Sequence, residues 1–446
     1  MSEGEHIARQ FVAYLARVRA VDRFAIGRRL LAMIALGCLR SRPDDDGTWQ
    51  ALRALRHQPG HDLQRSINTL AVSVERAHPA LRGVFTRGLA SELSQSPNLA
   101  EIVQVGWLFA HELELLPPNS FGAWLNSRLE DSATLGPVVS DLATSARLSD
   151  LLAGLAQVGP SGTIYDPCCG LGNVLAASWR AAGSAAELYG VEIHPTSWAF
   201  SRLRMALLGA PAHIELADAL RAPPMRPGGF DHVICEPPTG GLNALRPQDM
   251  PSSQGFGVRP SRLESAFIEH CAEALSPRGR AAILIAQTVL SRKGYEERLR
   301  RRLLLTGQLR AIISLPASVG AWASADLAIV ILQARSVHPG NVRMVDGHRA
   351  LGRDRRGPLS FAEIERITEL AYGPVVAGAS ADVTLTELAE SDRFRPGAYF
   401  SSKAESVDIH EVLQRADEHD RQARGFAERI RDLSAALQIY RSSHGS

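Results

Sequence analysis

At 446 residues the chain can hold two or three domains of ~100–200 residues each, with ample core. Its 49 Lys and Arg against 47 Asp and Glu leave a formal net charge of +2, too little for a whole-molecule field that attracts nucleic acid; local patches or a partner would have to supply one. Five cysteines (Cys38, Cys168, Cys169, Cys235 and Cys271) lack the spacing of zinc, redox or disulfide frameworks, so no metal is expected and a reduced, cytoplasmic setting fits best.

The N-terminus, Met-Ser-Glu-Gly-Glu-His, is acidic and polar, unlike a signal peptide. The apolar run Leu30 to Leu39 follows Arg28 and Arg29 and falls short of the ~20 residues that a bilayer requires. A soluble protein without a membrane partner is the expectation. Residues 1–135 lack strand alternation and read as a helical domain. Phe11, Tyr14, Leu15 and Val18 share one face, and Leu70, Val72, Val74 and Ala77 do so less cleanly. Breaks fall at Arg42 to Gly47 and at Pro117 to Ser120.

A second region, 136–400, opens with the helical pattern Arg147 to Leu155, which Thr144-Ser145 could cap. Strand patterns then follow at Thr163–Tyr165, Glu187–Val191, His213–Leu216, Asp231–Cys235, Arg280–Ala286, Leu309–Leu315 and Asp326–Gln333. Helical patterns separate most of them: Val174 to Ala182, Ser197 to Leu208 and Ser265 to Leu275. This alternation predicts an α/β fold, a doubly wound and mostly parallel sheet of Rossmann-like type. Asn341–Asp346 reads as one more short strand, and 350–390 as turns with short helices. In 401–446, Ile409, Val412, Ala416, His419, Ala423, Phe426, Ile430, Leu433, Leu437 and Tyr440 alternate spacings of three and four. That heptad seam reads as a long C-terminal helix, either packed on its own domain or docking another subunit.

Two strand ends carry the chemistry. Tyr165-Asp-Pro-Cys-Cys-Gly-Leu-Gly-Asn173 and Phe230-Asp-His-Val-Ile-Cys-Glu-Pro-Pro-Thr-Gly-Gly241 lie about seventy residues apart, the length of two βαβ units at roughly 30 or more residues each. Ligands of open α/β sheets bind at such carboxyl ends. Gly170 and Gly172 let the backbone turn tightly, and Asn173 stands where a third glycine might, since Asn tolerates left-handed backbone. Glu192 ends the second strand, about twenty residues on, where a carboxylate can accept from both ribose hydroxyls. Asp218 follows the third, where it could accept from an adenine amino group. A dinucleotide and S-adenosylmethionine both fit a ribose-binding acid. A pyrophosphate, however, wants a helix N-terminus clear of negative charge, and Asp166 stands in this turn, suited to a cationic amino-acid moiety.

These residues resemble the adenine-N6 DNA methyltransferases, specifically modification subunits of type I restriction systems. Asp166, Pro167, Cys169, Gly170 and Gly172 match the family's D-P-x-C-G-x-G signature. Gly190 to Pro195 and Ala217 to Leu220 look like its second and third signatures, Thr144-Ser145 stands where it has Thr-Pro, and Ile313 to Pro316 and Arg395 to Tyr399 resemble later segments. The resemblance implies an S-adenosylmethionine cofactor held by Thr144, Asp166, Cys169, Gly170, Gly172, Asn173, Glu192 and Asp218. It also implies DNA as substrate and a separate specificity or other complex subunit as partner, with the C-terminal heptads as candidate docking arm. A homo-oligomer is a further expectation.

The departure is the catalytic loop. Where the family has N-P-P-F or N-P-P-Y, this chain has Glu236-Pro237-Pro238-Thr239. In the family, the Asn side chain and a proline-linked carbonyl accept both hydrogens of the target amino group, and the aromatic residue stacks on the flipped base. Glu236 is one methylene longer, and an error of about 1 Å can cost ~100-fold. Thr239 cannot stack, and stacking is worth ~1–3 kcal/mol per base. Three readings follow: an active adenine-N6 methyltransferase with a variant loop, in which Phe256 could replace the aromatic; a catalytically degenerate scaffold or sensor in a defence complex; or transfer to another amino group. A basic run, Arg298, Arg300, Arg301 and Arg302, reads as a solvated face or a phosphate contact.

Overall fold

The computed structural model describes residues 3–18, 23–39, 60–94, 98–117, 120–129, 146–183, 185–221, 226, 229–238, 260, 262–319, 326–336, 340–352 and 358–400. Two compact units divide the chain, Met1–Tyr399 and Phe400–Ser446. Thr144, Thr239, Phe256 and the heptad segment lie outside the described residues.

Among the described residues, the N-terminal region carries α1 (Glu3–Arg17), α2 (Arg23–Cys38), α3 (Gly60–Ala77), α4 (Leu99–Glu114) and α5 (Ser120–Leu129). Ile7, Phe11 and Leu15, four residues apart, form the buried stripe of α1. Phe11 meets Phe109 and Trp124 edge-on, each at 5.5 Å between centroids. Tyr14 is half-buried and donates its hydroxyl to Glu101 Oε1 at 2.7 Å. Every residue from Leu30 to Leu36 is fully buried, the pattern of a helix covered on all sides. It packs tightly on α4, where a Cβ on Gly106 would stand 2.7 Å from Met33 Cγ. In α3 the buried stripe is Leu63, Ile67, Leu70, Ala71 and Val74; Val72 points outward.

The sheet strands are β1 (Gly162–Asp166), β2 (Ala186–Glu192), β3 (Ala212–Leu216), β4 (Phe230–Cys235), β5 (Leu275–Ala286), β6 (Leu309–Leu315), β7 (Leu327–Gln333), β8 (Val342–Asp346) and β9 (Ser380–Val383). Their order is β3-β2-β1-β4-β5-β7-β6-β8-β9. Strands β1 to β5 pair in parallel, as do β6 and β8. The mostly parallel sheet is therefore as expected, with two antiparallel insertions: β7 between β5 and β6, and β9 at the edge. Too few residues separate Leu315 from Leu327 for a parallel crossover, which takes about a dozen or more, so β7 turns back. Strand β9, Ser-Ala-Asp-Val, lies where turns and short helices were expected. Its apolar pattern is too short to read, and Arg343 fixes it by a bidentate pair to Asp382 at 2.7 and 3.3 Å.

Helices α6 (Ala146–Leu155), α7 (Asn173–Ala181), α8 (Pro195–Leu207), α9 (Leu263–Glu273), α10 (Tyr295–Leu305), α11 (Gly347–Leu351), α12 (Phe361–Tyr372) and α13 (Leu385–Ser391) complete the unit. The helical region joins the sheet through α8. A Cβ on Gly88 would meet Ala199 Cβ at 2.4 Å, one on Gly122 would meet the Leu207 carbonyl at 2.9 Å, and Arg202 donates to the Arg82 and Ala80 carbonyls at 2.8 and 2.6 Å. Among the described residues, no helix is long and apolar enough to cross a membrane. From β1 the chain builds β2 and β3 on one side and returns to β4 on the other. The crevice of this switch point opens between the carboxyl ends of β1 and β4.

Candidate active site

Asp166 ends β1, 2% exposed, and its Oδ1 accepts from the Cys168 N–H at 3.0 Å. Gly170 and Gly172 hold φ of 52° and 77°, the left-handed region that side chains resist. The Gly172 N–H closes the turn on the Cys169 carbonyl at 2.7 Å, and the Cys169 N–H donates to Val191 at 3.0 Å, which folds the turn onto β2. A Cβ on Gly172 would lie 2.7 Å from Ser201 Oγ on α8.

Asn173 is not left-handed; it is the first residue of α7. Its Oδ1 accepts from the guanidinium of Arg204, which is 1% exposed and also donates to the Leu171 carbonyl at 3.2 Å and to Asn126 Oδ1 on α5 at 2.7 Å. The Cys169 thiol is buried against Gly190, where a Cβ would come within 3.0 Å of it. These two side chains thus brace the glycine turn from behind.

Glu192 ends β2 and locks the turn from the front. Its Oε2 accepts from the Gly170 N–H at 2.9 Å and its Oε1 from the His194 N–H at 2.6 Å. Burial raises its pKa, and those N–H donors oppose the rise. Asp218 follows β3; its Oδ1 accepts from the Leu220 N–H at 3.0 Å and its Oδ2 faces Arg221 Nε at 3.1 Å. Each carboxylate oxygen keeps a further lone pair for a ligand.

At the fourth strand end, Glu236 and Pro238 are half-buried and Pro237 is buried. The Glu236 carbonyl accepts from the Cys168 thiol at 3.3 Å, and Cys168 Sγ lies 3.4 Å from Cys235 Sγ. Sequence reasoning assigned Cys168 no role, yet its thiol ties the glycine turn to the Glu236-Pro237-Pro238 segment. Two adjacent residues in a turn rarely share a face, and that was the available signal. The bond to Cys235 pulls its pKa down, but burial and Asp166 prevail and push it up to about 12. Both sulfurs remain thiols.

Of the four acidic side chains at these strand ends, Asp166, Glu192 and Glu236 lie close enough to repel one another. Burial pushes the Asp166 pKa up to about 8 against the Cys168 N–H, and the charges of Glu192 and Glu236 add to the rise. Among the described residues no Lys or Arg lies within 4 Å of Asp166 or Glu192, and no group of His, Cys, Asp and Glu could hold a metal ion. The basic run of α10 is divided: Arg298 and Arg301 are exposed, while Arg300 and Arg302 turn to partners within the fold. Arg300 is buried and paired with Asp392 at 3.2 Å, Arg302 pairs with Glu269 at 2.7 Å, and Arg301 with Glu297 at 3.4 Å.

Residues 141–408, over half of the chain, match the family model of the N-6 DNA methylases. The chain belongs to that family. Two of its relatives are the methylase subunit of the type I restriction enzyme MpnII from Mycoplasma pneumoniae, 24% identical over 330 residues (66% of this chain, 60% of the relative), and that of HindI from Haemophilus influenzae, 21% identical over 300 residues (62% and 64%). The chain thus spans less than two thirds of either relative's length. In fold, the chain is similar to a type I restriction-modification methyltransferase subunit from Streptococcus thermophilus, with a TM-score of 0.67 at 17% identity, covering 89% of this chain and 98% of that one. A structure of a type I restriction-modification assembly gives 0.60 at 16% identity, covering 97% and 98%. The family match takes in β1 to β9, so every carboxylate of the crevice lies inside it.

Proposed function

We propose that this N-6 DNA methylase transfers the methyl group of S-adenosylmethionine to the N6 amino group of adenine in DNA, as the cytoplasmic modification subunit of a type I restriction-modification system. The observation that carries the reading is the convergence of Asp166, Glu192, Asp218 and Glu236 at the carboxyl ends of β1 to β4, around a left-handed glycine turn. Asp166 would face the cofactor's ammonium group, Glu192 its ribose hydroxyls and Asp218 its adenine, over the backbone of Gly170 and Gly172. Cys169 and Asn173 support that backbone, and Thr144 is proposed for the same site. Residues 401–446 would dock a specificity subunit or a second copy.

Bound S-adenosylmethionine supplies an electrophilic methyl group on a positively charged sulfur. The residues supply position and proton traffic. The Glu236 carboxylate and the Pro237 carbonyl accept the two amino hydrogens, which aims the nitrogen lone pair along the line of transfer. On taking up the methyl group the amine would shed one of those two hydrogens as a proton. Glu236 can take that proton, which the amide of the family pattern cannot. Thr239 is proposed to line the base pocket.

The test is transfer of labelled methyl groups to adenine in duplex DNA by the chain with its companion subunit. Glu236→Ala should keep cofactor affinity and lose transfer by about 100-fold or more, while Asp166→Ala should lose cofactor binding itself. A wild type that binds cofactor, stays silent, and gains transfer from Glu236→Asn with Thr239→Phe would be a degenerate enzyme, and the proposal would fall.

Cofactor binding should also release protons. With its pKa near 8, Asp166 is protonated in the free protein at pH 7 and ionised opposite an ammonium group. Affinity should climb as pH rises from 6 toward 8. Calorimetry in two buffers of different ionisation enthalpy should show release of up to about one proton at pH 7; heats independent of buffer would show that Asp166 does not meet the cation.

A further inference from the structure

We propose that Arg292, Arg393 and Arg395 form a phosphate-binding platform for duplex DNA at the edge of the catalytic crevice. The proposal rests on the DNA reading above and assigns it a surface.

Strand β5 runs parallel to β4, with Ile283 beside Cys235, so both strands finish on the edge that bears Glu236 to Pro238. Beyond Ala286 comes a short 3-10 helix, Gln287–Ser291, and then Arg292-Lys293-Gly294, all exposed. A remote segment, 391–395, is bound to this one by a single buried cation. Arg300 donates to the carbonyls of Val289 at 3.1 Å and Arg292 at 3.0 Å, pairs with Asp392 at 3.2 Å, and holds its guanidinium 5.0 Å from the Phe394 ring centroid. Asp392 takes Lys293 Nζ on its other oxygen at 2.7 Å, in a left-handed turn with φ of 49°. Arg395 completes the seam by donating to Ser291 Oγ at 2.9 Å.

The result is one fixed surface built from two stretches of chain. Arg292, Arg393 and Arg395 are exposed, and among the described residues none has a carboxylate within 4 Å. Asp392, the acid next to Arg393, is already engaged by Lys293 and Arg300. Like charges held together repel one another unless a polyanion covers them. Arginine forks on a rigid turn suit phosphate oxygens. Their place beside the catalytic edge suits a duplex whose target base must enter the crevice. This surface takes the role that sequence reasoning offered to the arginines of α10.

The test is fluorescence anisotropy of the full chain with a labelled duplex across a salt series, with S-adenosylmethionine titrated in the same preparations. In the triple variant Arg292→Gln, Arg393→Gln, Arg395→Gln, the slope of log affinity against log salt should flatten by roughly two to three, about one per lost phosphate contact. Affinity at low salt should fall at least tenfold. The triple Arg→Lys variant should restore the slope, and Arg9→Gln on α1 should leave it unchanged. A Gln variant that melts like wild type and keeps the wild-type slope overturns the platform while leaving the DNA reading intact. A wild type that takes up cofactor but binds no duplex at low salt overturns both.

Discussion

Asp166→Asn should melt at a higher temperature than wild type in the absence of cofactor, and bind S-adenosylmethionine roughly 10- to 100-fold more weakly. The substitution keeps an oxygen to accept from the Cys168 N–H and removes a charge that burial penalises. The sign follows from the raised pKa. A carboxyl whose folded value is about 8 against an ordinary 3.8 favours folding in its protonated form. That contribution is whole below pH 3.8 and is lost as pH rises through 8, because the unfolded chain ionises freely and the folded one does not. At pH 8 the loss is on the order of a few kcal/mol. Melting curves of both proteins at pH 5 and pH 8 would decide it. The advantage of the variant should widen with pH and shrink when saturating cofactor is added. A variant less stable at pH 8 would show that Asp166 is held by something other than burial.

Arg204→Leu should be more damaging than any change at the crevice itself. One guanidinium serves Asn173 and the Leu171 carbonyl in the interior and half-buried Asn126. Its removal strands these acceptors, and each buried one left unsatisfied costs about 1–3 kcal/mol. The loss should also appear in function, because Leu171 lies between the two left-handed glycines and Asn173 starts α7. Arg204→Lys keeps the charge but not the fork, and should recover stability in part while cofactor affinity stays well below wild type. Chemical denaturation paired with calorimetry would check both. An Arg204→Leu protein of native stability and affinity would remove the guanidinium from the account.

The carboxylates of the crevice were legible because each stands where a strand pattern stops. Asp166, Glu192, Asp218 and Glu236 follow apolar runs whose ends an open parallel sheet places side by side. What stayed hidden depends on facing. Adjacent Cys168 and Cys169 look equivalent in the sequence, yet one thiol meets the catalytic loop and the other the interior. Arg204 drew no reading at all, because its acceptors come from α5 and from a turn far away in the chain. Arg300 stayed hidden for the same reason: Asp392, which engages it, is distant in sequence, whereas Arg298 and Arg301 lie on the exposed face that the run suggested. Strand β9 is simply too short for a period-two pattern to register.

The Arg204 seam also bears on modularity. Asn126 comes from the helical region and Leu171 from the left-handed glycine turn, and Gly88 and Gly122 admit no side chain where that region meets α8. An expression fragment started near residue 136 would strip one wall from the guanidinium and flood it with water, leaving the turn slack. Recombination between distant relatives meets the same obstacle: a crossover between these regions succeeds only when both faces of the seam are inherited together.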